Sequence, residues 1–441
     1  MGRKNSPSAK KQLATLITNY EEAKAENRQL YLDADQLADI ADWYASERKF
    51  EEAQEVITYG LKIHPGNTAL LIEQAYLYLD TQKLQKAKKV ADSITEDFDS
   101  EVKLLKAELL LNGGKLEEAQ WLLSTIADAD ELETIIDVVF LYLDMGYPDA
   151  AKEWLAKKGM EAMDGPVNFG DRDQWWGLLT KGFEFTPLYT NPYNFEYYIR
   201  LFENYGFQNY FNQHTYLREL AEGLFPDNVY ERVKRLQEEP RYSFEHMDKR
   251  KRSLQQYAED FRTVYNKAWA KFTGVKPIER AHALALMNSL RPIIDQRLMY
   301  FAYYDGKPIG FYLMIPDLNG VIAPLKGHFG AWDKLRFLWR LKVSRKATRI
   351  FALIFGVIPE FQGKGIESGM IYNFEQQVNT PHLKRYKSLE LAWIGDFNPL
   401  MMRMVETLVC AKKHKMHTTY RYLFDREKPF TRAPKMTVKK D

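Results

Sequence analysis

Between Ile350 and Ile366 an apolar run, Ile-Phe-Ala-Leu-Ile-Phe-Gly-Val-Ile, gives way to Pro359-Glu-Phe-Gln-Gly-Lys-Gly365 and then to a helical pattern beginning near Glu367. Gly363 and Gly365 carry no Cβ, so a turn through Gln362, Gly363, Lys364 and Gly365 can bend sharply and aim its amides inward. A helix that starts with Ile366, Glu367 and Ser368 adds unpaired N–H groups and the positive end of its dipole. Such a turn is a cradle for an anion, and a pyrophosphate suits it. It is not the lysine-and-hydroxyl phosphate loop, because Gly365 is followed by Ile-Glu, and no further glycine arrives in register for the dinucleotide fingerprint.

The elements around that turn read as one α/β unit from about Asp248 to Asp425. Lys251–Lys271 and Pro277–Leu290 are helical by period. Met299–Tyr304 and Pro308–Ile315 flank Asp305-Gly306, the signature of a β-hairpin. Arg349–Ile358 is the strand before the turn and Glu367–Val378 the helix after it. Ser388–Ile394 is a further strand, Asn398–Leu408 a helix opened by Asn-Pro, and Thr418–Phe424 a closing strand.

Strand, Val357-x-Pro359-x-x-Gln362-Gly-Lys-Gly-Ile366 and helix together resemble motif A of the GCN5-related N-acetyltransferases, and the element order resembles that fold, with its mixed central sheet. With Gly165-Pro-Val-Asn-Phe-Gly170, Pro316-Asp-Leu-Asn319 and Glu390-Leu-Ala-Trp-Ile394, residues from about 150 to 430 resemble a bacterial family of tandem acetyltransferase-like proteins. The resemblance implies that the turn from Gln362 to Ser368 wraps the pyrophosphate of acetyl-coenzyme A as acyl donor. Glu367 stands where the motif has a small residue, so its carboxylate has to turn to solvent to admit a diphosphate. In the first lobe of such a tandem protein, a helix opens at Asn-Pro and closes at Tyr-Gly-Phe, matching Asn191-Pro192 and Tyr205-Gly-Phe207 here.

Transfer of an acyl group from a thioester to an amine requires a cradle, a donor to the developing oxyanion, a base for the ammonium proton and an acid for the thiolate. The resemblance assigns the strand amides at Phe355, Gly356 and Val357 to the pantetheine and the thioester carbonyl, Gly356 permitting a bulge. It matches Asn398 to the asparagine that meets the pantetheine arm; the residue reads equally as a helix cap. The strand 350–358 holds no carboxylate, and Val405 occupies the position where the family frequently has a tyrosine. Glu390 is then the candidate base and Tyr420 or Tyr422 the candidate acid, with a salt-bridged strand residue and packed rings as the plainer readings. Arg403, Glu406 and Arg421 read as surface or helix-face charges. His414-x-x-His417 falls in a basic loop without metal-ligand spacing, and no metal is expected.

Composition sets the frame. The 441 residues, 45% of them hydrophobic, can build two or three domains with real cores. Lys and Arg number 62 against 60 Asp and Glu, a formal charge of +2, so neither nucleic acid nor a membrane is the expected main partner. Basic runs at Lys342–Arg349, Lys412–Lys415 and after Lys435 read as solvated faces or as steering charges for an anionic ligand. Cys410 is the one cysteine and reads as an apolar filler on a buried helix face; the start lacks the apolar stretch of a secretory signal, and a cytoplasmic address is expected.

From about residue 34 to 157 the chain repeats itself. Ala41, Tyr44 and Ala53 recur as Ala75, Tyr78 and Ala87, then as Ala107, Leu110 and Ala119, then as Val139, Tyr142 and Ala151. Small residues let paired helices approach and the rings fill the wedge between them, which resembles tetratricopeptide repeats. The expected organisation is a disordered start and capping helix (1–30), all-α repeats (31–158), a partial first acyltransferase-like lobe (159–245), an α/β acyltransferase lobe (246–430) and a basic tail (431–441). An N-acetyltransferase with a repeat module that holds a protein or peptide partner is one functional reading. A non-catalytic scaffold with a degenerate acyltransferase-like domain is the other.

Overall fold

The computed structural model describes residues 7–26, 28, 31–166, 177–220, 227–268, 277–328 and 330–436. The motif pieces at 167–170 and 173–176, the end of the expected helix at 269–271 and the first six residues lie outside the described residues. Two compact units divide the chain, Met1–Glu161 and Ala162–Asp441.

In the first unit α1 (Pro7–Ala25) precedes antiparallel helix pairs: α2 (Ala34–Ser46) with α3 (Phe50–Ile63), α4 (Thr68–Asp80) with α5 (Leu84–Ser93), α6 (Ser100–Asn112) with α7 (Leu116–Ser124), and α8 (Leu132–Asp144) with α9 (Pro148–Lys157). The repeated alanines Ala41, Ala53, Ala75, Ala87, Ala107 and Ala119 are all fully buried, as the close approach of helix pairs demands. Gly60 serves the same end, since a Cβ there would come within 2.9 Å of Leu70 Cδ1. Tyr44 is buried between helices and its hydroxyl donates to Glu21 Oε1 of α1, so α1 covers the first pair. That helix begins at Pro7, with proline in its first turn where no N–H is needed.

The second unit contains β1 (Ala162–Gly165), β2 (Leu178–Lys181), α10 (Tyr197–Tyr205), β3 (Gln208–Glu219), α11 (Asp227–Glu238), β4 (Tyr242–His246), α12 (Leu254–Ala268), α13 (Arg280–Leu290), β5 (Met299–Tyr304), β6 (Lys307–Pro316), α14 (Asn319–Ile322), α15 (Ala331–Leu338), β7 (Arg349–Val357), α16 (Ile366–Val378), β8 (Ser388–Gly395), α17 (Pro399–Thr407) and β9 (Lys412–Leu423). The strands form one nine-stranded mixed sheet in the order β1-β9-β3-β8-β7-β6-β5-β4, with β2 also on β9. Strands from either side of residue 245 therefore share a single sheet, and β3 lies between β8 and β9. The β5–β6 hairpin turns at Asp305 and Gly306 with φ of 48° and 74°, the mirror-image turn that Asp-Gly favours.

Tyr257 and Phe261 of α12 stack on Phe301 and Phe311, whereas Phe374 of α16 meets Tyr300 and Tyr312. Successive strand residues point to opposite faces, so α12 and α16 clamp the sheet from its two sides. Among the described residues the one parallel pair in the sheet is β7 with β8, and it joins the antiparallel β4–β7 half to the β8–β3–β9 half.

Candidate active site

The parallel pair holds for only four register positions, from Arg349↔Ser388 to Ala352↔Leu391. Beyond them both strands carry an extra residue. β7 bulges at Leu353, because Leu313 and Met314 of β6 face Ile354 and Ala352. β8 bulges at Ala392–Trp393, because His214 and Tyr216 of β3 face Ile394 and Leu391. A bulge bends its strand and adds twist, so two bulges just past the last shared pair drive the strands apart. Leu353, Ile354 and Phe355 on one side, and Ala392 and Trp393 on the other, become half-exposed at that point. From Ala352 to Val357 the opening runs about 17 Å along β7 at the usual strand rise. The bulge that the sequence placed at Gly356 thus lies three residues earlier; Phe355, Gly356 and Val357 remain in regular register with Tyr312, Phe311 and Gly310.

At the wide end β7 runs into the glycine turn. Gly363 and Gly365 have φ of 74° and 85°, the left-handed region that a side chain resists. The Gln362 Nε2 amide donates back to the Val357 carbonyl at 2.9 Å, pinning the turn to the strand end. Gly363 and Lys364 are exposed, and a Cβ on Gly363 would meet nothing within 4 Å. The cradle is therefore open to solvent. Gly365 caps α16, and Ile366 and Ser368 are buried beneath the turn. Glu367 does not turn fully outward as the motif demanded; it is half-buried, and burial pushes its carboxyl above the usual range. Asn398 lies just past the end of β8 and caps α17, its Oδ1 accepting the Met401 N–H at 3.2 Å.

The narrow end holds a buried charge network. Glu390, wholly buried, pairs through Oε1 with Lys415 Nζ at 2.5 Å and through Oε2 with Arg349 Nη1 at 3.0 Å. Arg349 also binds Asp317 Oδ2 at 2.8 Å and the Thr186 carbonyl at 3.3 Å, while Lys415 Nζ donates to that same carbonyl at 3.2 Å. Lys415 comes from β9 and must reach across β3. Thr215, small and fully buried, accepts the Lys415 backbone N–H at 3.1 Å, and a bulge in β9 opposite it turns the lysine inward. Glu390 is thus an interior ion-paired residue instead of an open base. Phe351, its register partner, lies about 20 Å along β7 from the strand end that enters the turn.

Tyr420 and Tyr422 are not brought to the cleft. They lie on β9, separated from β7 by β3 and β8, roughly 14 Å at three strand spacings. Tyr420 is buried against Phe202, with its hydroxyl 3.4 Å from Glu203 and its pKa pushed up to about 12 by burial; Tyr422 sits among Tyr205, Phe207 and Arg426. Other expectations are corrected too. The His414-x-x-His417 segment is part of β9, not a loop, and burial holds His417 down at about 4. Arg421 is half-buried and grips Asp164 at 2.6 Å, so it is not a free surface charge, whereas Glu406 is exposed on the α17 face as expected and accepts from the buried Tyr216 hydroxyl. Cys410 follows α17 at φ 53° and is half-exposed. The roles of the network partners Asp317, Arg349 and Lys415 escaped the sequence reading, which placed Lys415 in a solvated basic run ahead of the closing strand. No group of side chains able to hold a metal occurs among the described residues.

Comparison with known proteins bears on both units. Residues 44–109 match the family model for the tetratricopeptide repeat. The bacterial ceramide synthase of Caulobacter vibrioides is 28% identical over 267 residues, 59% of this chain and 66% of that protein. Protein YghO of Escherichia coli is 26% identical over 275 residues, 62% of this chain and 68% of that one. The chain thus spans about two thirds of the length of these relatives. Among solved structures, a GCN5-related N-acetyltransferase from Sphaerobacter thermophilus aligns with a TM-score of 0.33 at 11% identity, over 66% of this chain and 70% of that one. A tandem acetyltransferase of the clavulanic acid pathway aligns with a TM-score of 0.34 at 10% identity, over 63% of this chain and 70% of that one. The chain carries tetratricopeptide repeats over residues 44–109, followed by an α/β domain built on a nine-stranded mixed sheet.

Proposed function

We propose that the second unit transfers an acyl group from a coenzyme A thioester to an amine. The observation that carries this is the parting of β7 and β8 directly in line with a solvent-open turn of two left-handed glycines at the N-terminus of α16. The diphosphate of the carrier sits on the amides from Gly363 to Ser368, and the pantetheine arm lies in the opening. Register with β8 stops at Ala352, so the later peptide groups of β7 have no strand partner on that side and are available to the arm and the thioester carbonyl.

In the reaction the amine nitrogen attacks the thioester carbon; a C–N bond forms, the C–S bond breaks, and one proton leaves the nitrogen. β7 offers no carboxylate, and Glu390 is locked between two cations, so that proton leaves through water in the half-exposed opening beside Leu353 and Trp393. A thiol ionises near pH 8–9, so the thiolate departs without an acid, and Tyr420 and Tyr422 are not required. Glu390 acts as a positioning residue, holding Arg349 and Lys415 where the two strands still pair.

The relative named bacterial ceramide synthase supports a long-chain amine as acceptor, since ceramides are N-acylated long-chain amino alcohols. Half-exposed Leu353, Ala392 and Trp393, packed on the buried Leu188, Ile315 and Phe351, give the opening an apolar wall suited to a longer acyl chain or a long-chain amine. The repeat unit is proposed to hold a protein partner. Incubating the full chain with acetyl-, octanoyl- and palmitoyl-coenzyme A and a panel of short and long-chain amines, with thiol release and amide product measured together, tests this reading. Amide formation is expected, fastest with a long-chain donor; thioester hydrolysis without amide, or no turnover at all, overturns it.

A further inference from the structure

The connection from β6 to β7 carries a surface outside the residues assigned above to acyl transfer. α15 continues into a π-helical turn, Trp339–Val343, to make one rod. Phe337 and Leu341 anchor its inner side in the core. Its outer side presents Trp332, Leu335, Trp339 and Val343, at steps of three or four residues, with exposures of 84%, 58%, 57% and 66%. Side chains at that spacing form one ridge along a helix. Two tryptophans and two aliphatic side chains in a row facing water are an unpartnered apolar face.

The charges beside the ridge say what covers it. Residues 326–346 hold seven lysines and arginines against one carboxylate, Asp333, and Asp333 is occupied in capping the helix at the Gly330 N–H. Arg340 and Lys342 are tied to the Val321 and Ile294 carbonyls. Lys334, Arg336, Arg345 and Lys346 are exposed, and among the described residues none is paired with a carboxylate. The near-neutral charge of the whole chain averages this local excess away. A second copy of the same face would bring like charges together.

We propose that this rod docks on the surface of an anionic bilayer, with Trp332, Leu335, Trp339 and Val343 seated at the boundary between headgroups and acyl chains and the basic side chains on the lipid phosphates. Tryptophan favours that boundary because its ring is apolar and its N–H polar, and a basic amphipathic helix lies in the interface plane. Anionic lipid attracts the lysines and arginines over about a Debye length. At thirteen residues the rod is about 20 Å long, too short to cross a hydrocarbon core of about 30 Å, so it lies on the membrane. The inference is independent of the acyl-transfer reading and its test reads no catalysis.

The test is flotation of the full chain with vesicles of phosphatidylcholine alone or with a third of phosphatidylglycerol, for the natural protein, Trp332→Ser/Trp339→Ser and Lys334→Glu/Arg336→Glu. The changed side chains are exposed, so all three proteins should show the same far-ultraviolet dichroism. The natural chain is expected to bind anionic vesicles at least about tenfold more tightly than neutral ones, with binding weakened by salt. Each double variant is expected to lose about tenfold or more. Absence of binding to anionic vesicles overturns the proposal, as does unchanged binding by the tryptophan variant. A natural dimer that this variant converts to monomer, without vesicle binding, assigns the ridge to a second copy and also overturns it.

Discussion

Replacing Lys415 by Met removes one cation from a network that has nowhere to find another. In the natural protein two buried carboxylates, Asp317 and Glu390, face two cations, Arg349 and Lys415. Burial holds the Lys415 ammonium below its ordinary pKa even with Glu390 beside it, so its desolvation is not fully offset. Met keeps the stem's length and leaves little cavity, which isolates the effect of charge. Without the lysine, Arg349 alone must serve both carboxylates. Breaking a buried ion pair from one side costs about 3–5 kcal/mol. At roughly 2–4 °C per kcal/mol for a large domain, the melting temperature of the second unit falls by about 6–20 °C. Calorimetry of the full chain reads this, and the repeat unit's transition should stay in place. Lys415→Met with Glu390→Gln should recover most of the loss, because the uncompensated charge is gone. A fall below about 2 °C, or a double variant as unstable as the single one, would show that Glu390 is solvated and the network is not as described.

Three further outcomes follow. Glu108 in the repeat unit has its pKa raised to about 7, chiefly by burial and also by Asp80 and Asp144. A raised carboxyl favours folding in its protonated form, so the stability it contributes is complete below about 4.5 and is lost as pH rises through 7. The shift corresponds to at most about 3 kcal/mol, and access of solvent lowers this to roughly 1–2. Denaturant unfolding of the natural chain and Glu108→Gln at pH 5 and pH 8 should show that much less pH dependence in the variant; equal slopes refute it. Gly177→Ala should destabilise by about 2–4 kcal/mol, since φ is +66° and the new Cβ would lie 2.5 Å from the Thr418 carbonyl oxygen; a melting temperature within a degree of natural contradicts the close packing of that segment on β9. Gln362→Ala removes the bond to the Val357 carbonyl and should weaken coenzyme A binding severalfold with little change in melting, because the side chain is exposed; unchanged affinity means the turn does not depend on the latch.

Local signals made much of this architecture legible. Asp305-Gly306 can adopt positive φ cheaply, so the hairpin was marked by its turn, and Asn398-Pro399 marked the start of α17 through a cap and a proline that both favour a first turn. The spacing of Ala41, Ala75 and Ala107 exposed the repeat, because only small residues fit where helices cross. Strand pairing was not legible. Placing β3 between β8 and β9 joins residues about 200 apart, as in Lys415 to Thr215, and no local pattern encodes it. The bulges at Leu353 and Ala392–Trp393 are defined by a mismatch between two strands, so neither strand's sequence contains them. Glu390 could be singled out by type, but its role depended on Lys415, which in sequence stood in a basic run that looked solvated. Tyr420 and Tyr422 were chosen for chemistry and then placed two strands beyond the cleft by the same insertion of β3.

The central claim is that the glycine turn after β7 holds the diphosphate of coenzyme A. Isothermal titration of the full chain with coenzyme A tests it directly, using Gly363→Leu to fill the turn and Lys364→Glu to place an anion beside it. Lys364 is exposed and Gly363 has open space above it, so both variants should fold, the first at a backbone cost of about 1–2 kcal/mol. Saturable one-to-one binding by the natural chain, lost or weakened at least about tenfold in both variants, is the predicted result. No binding to the natural chain, or equal affinity in all three proteins, contradicts the account.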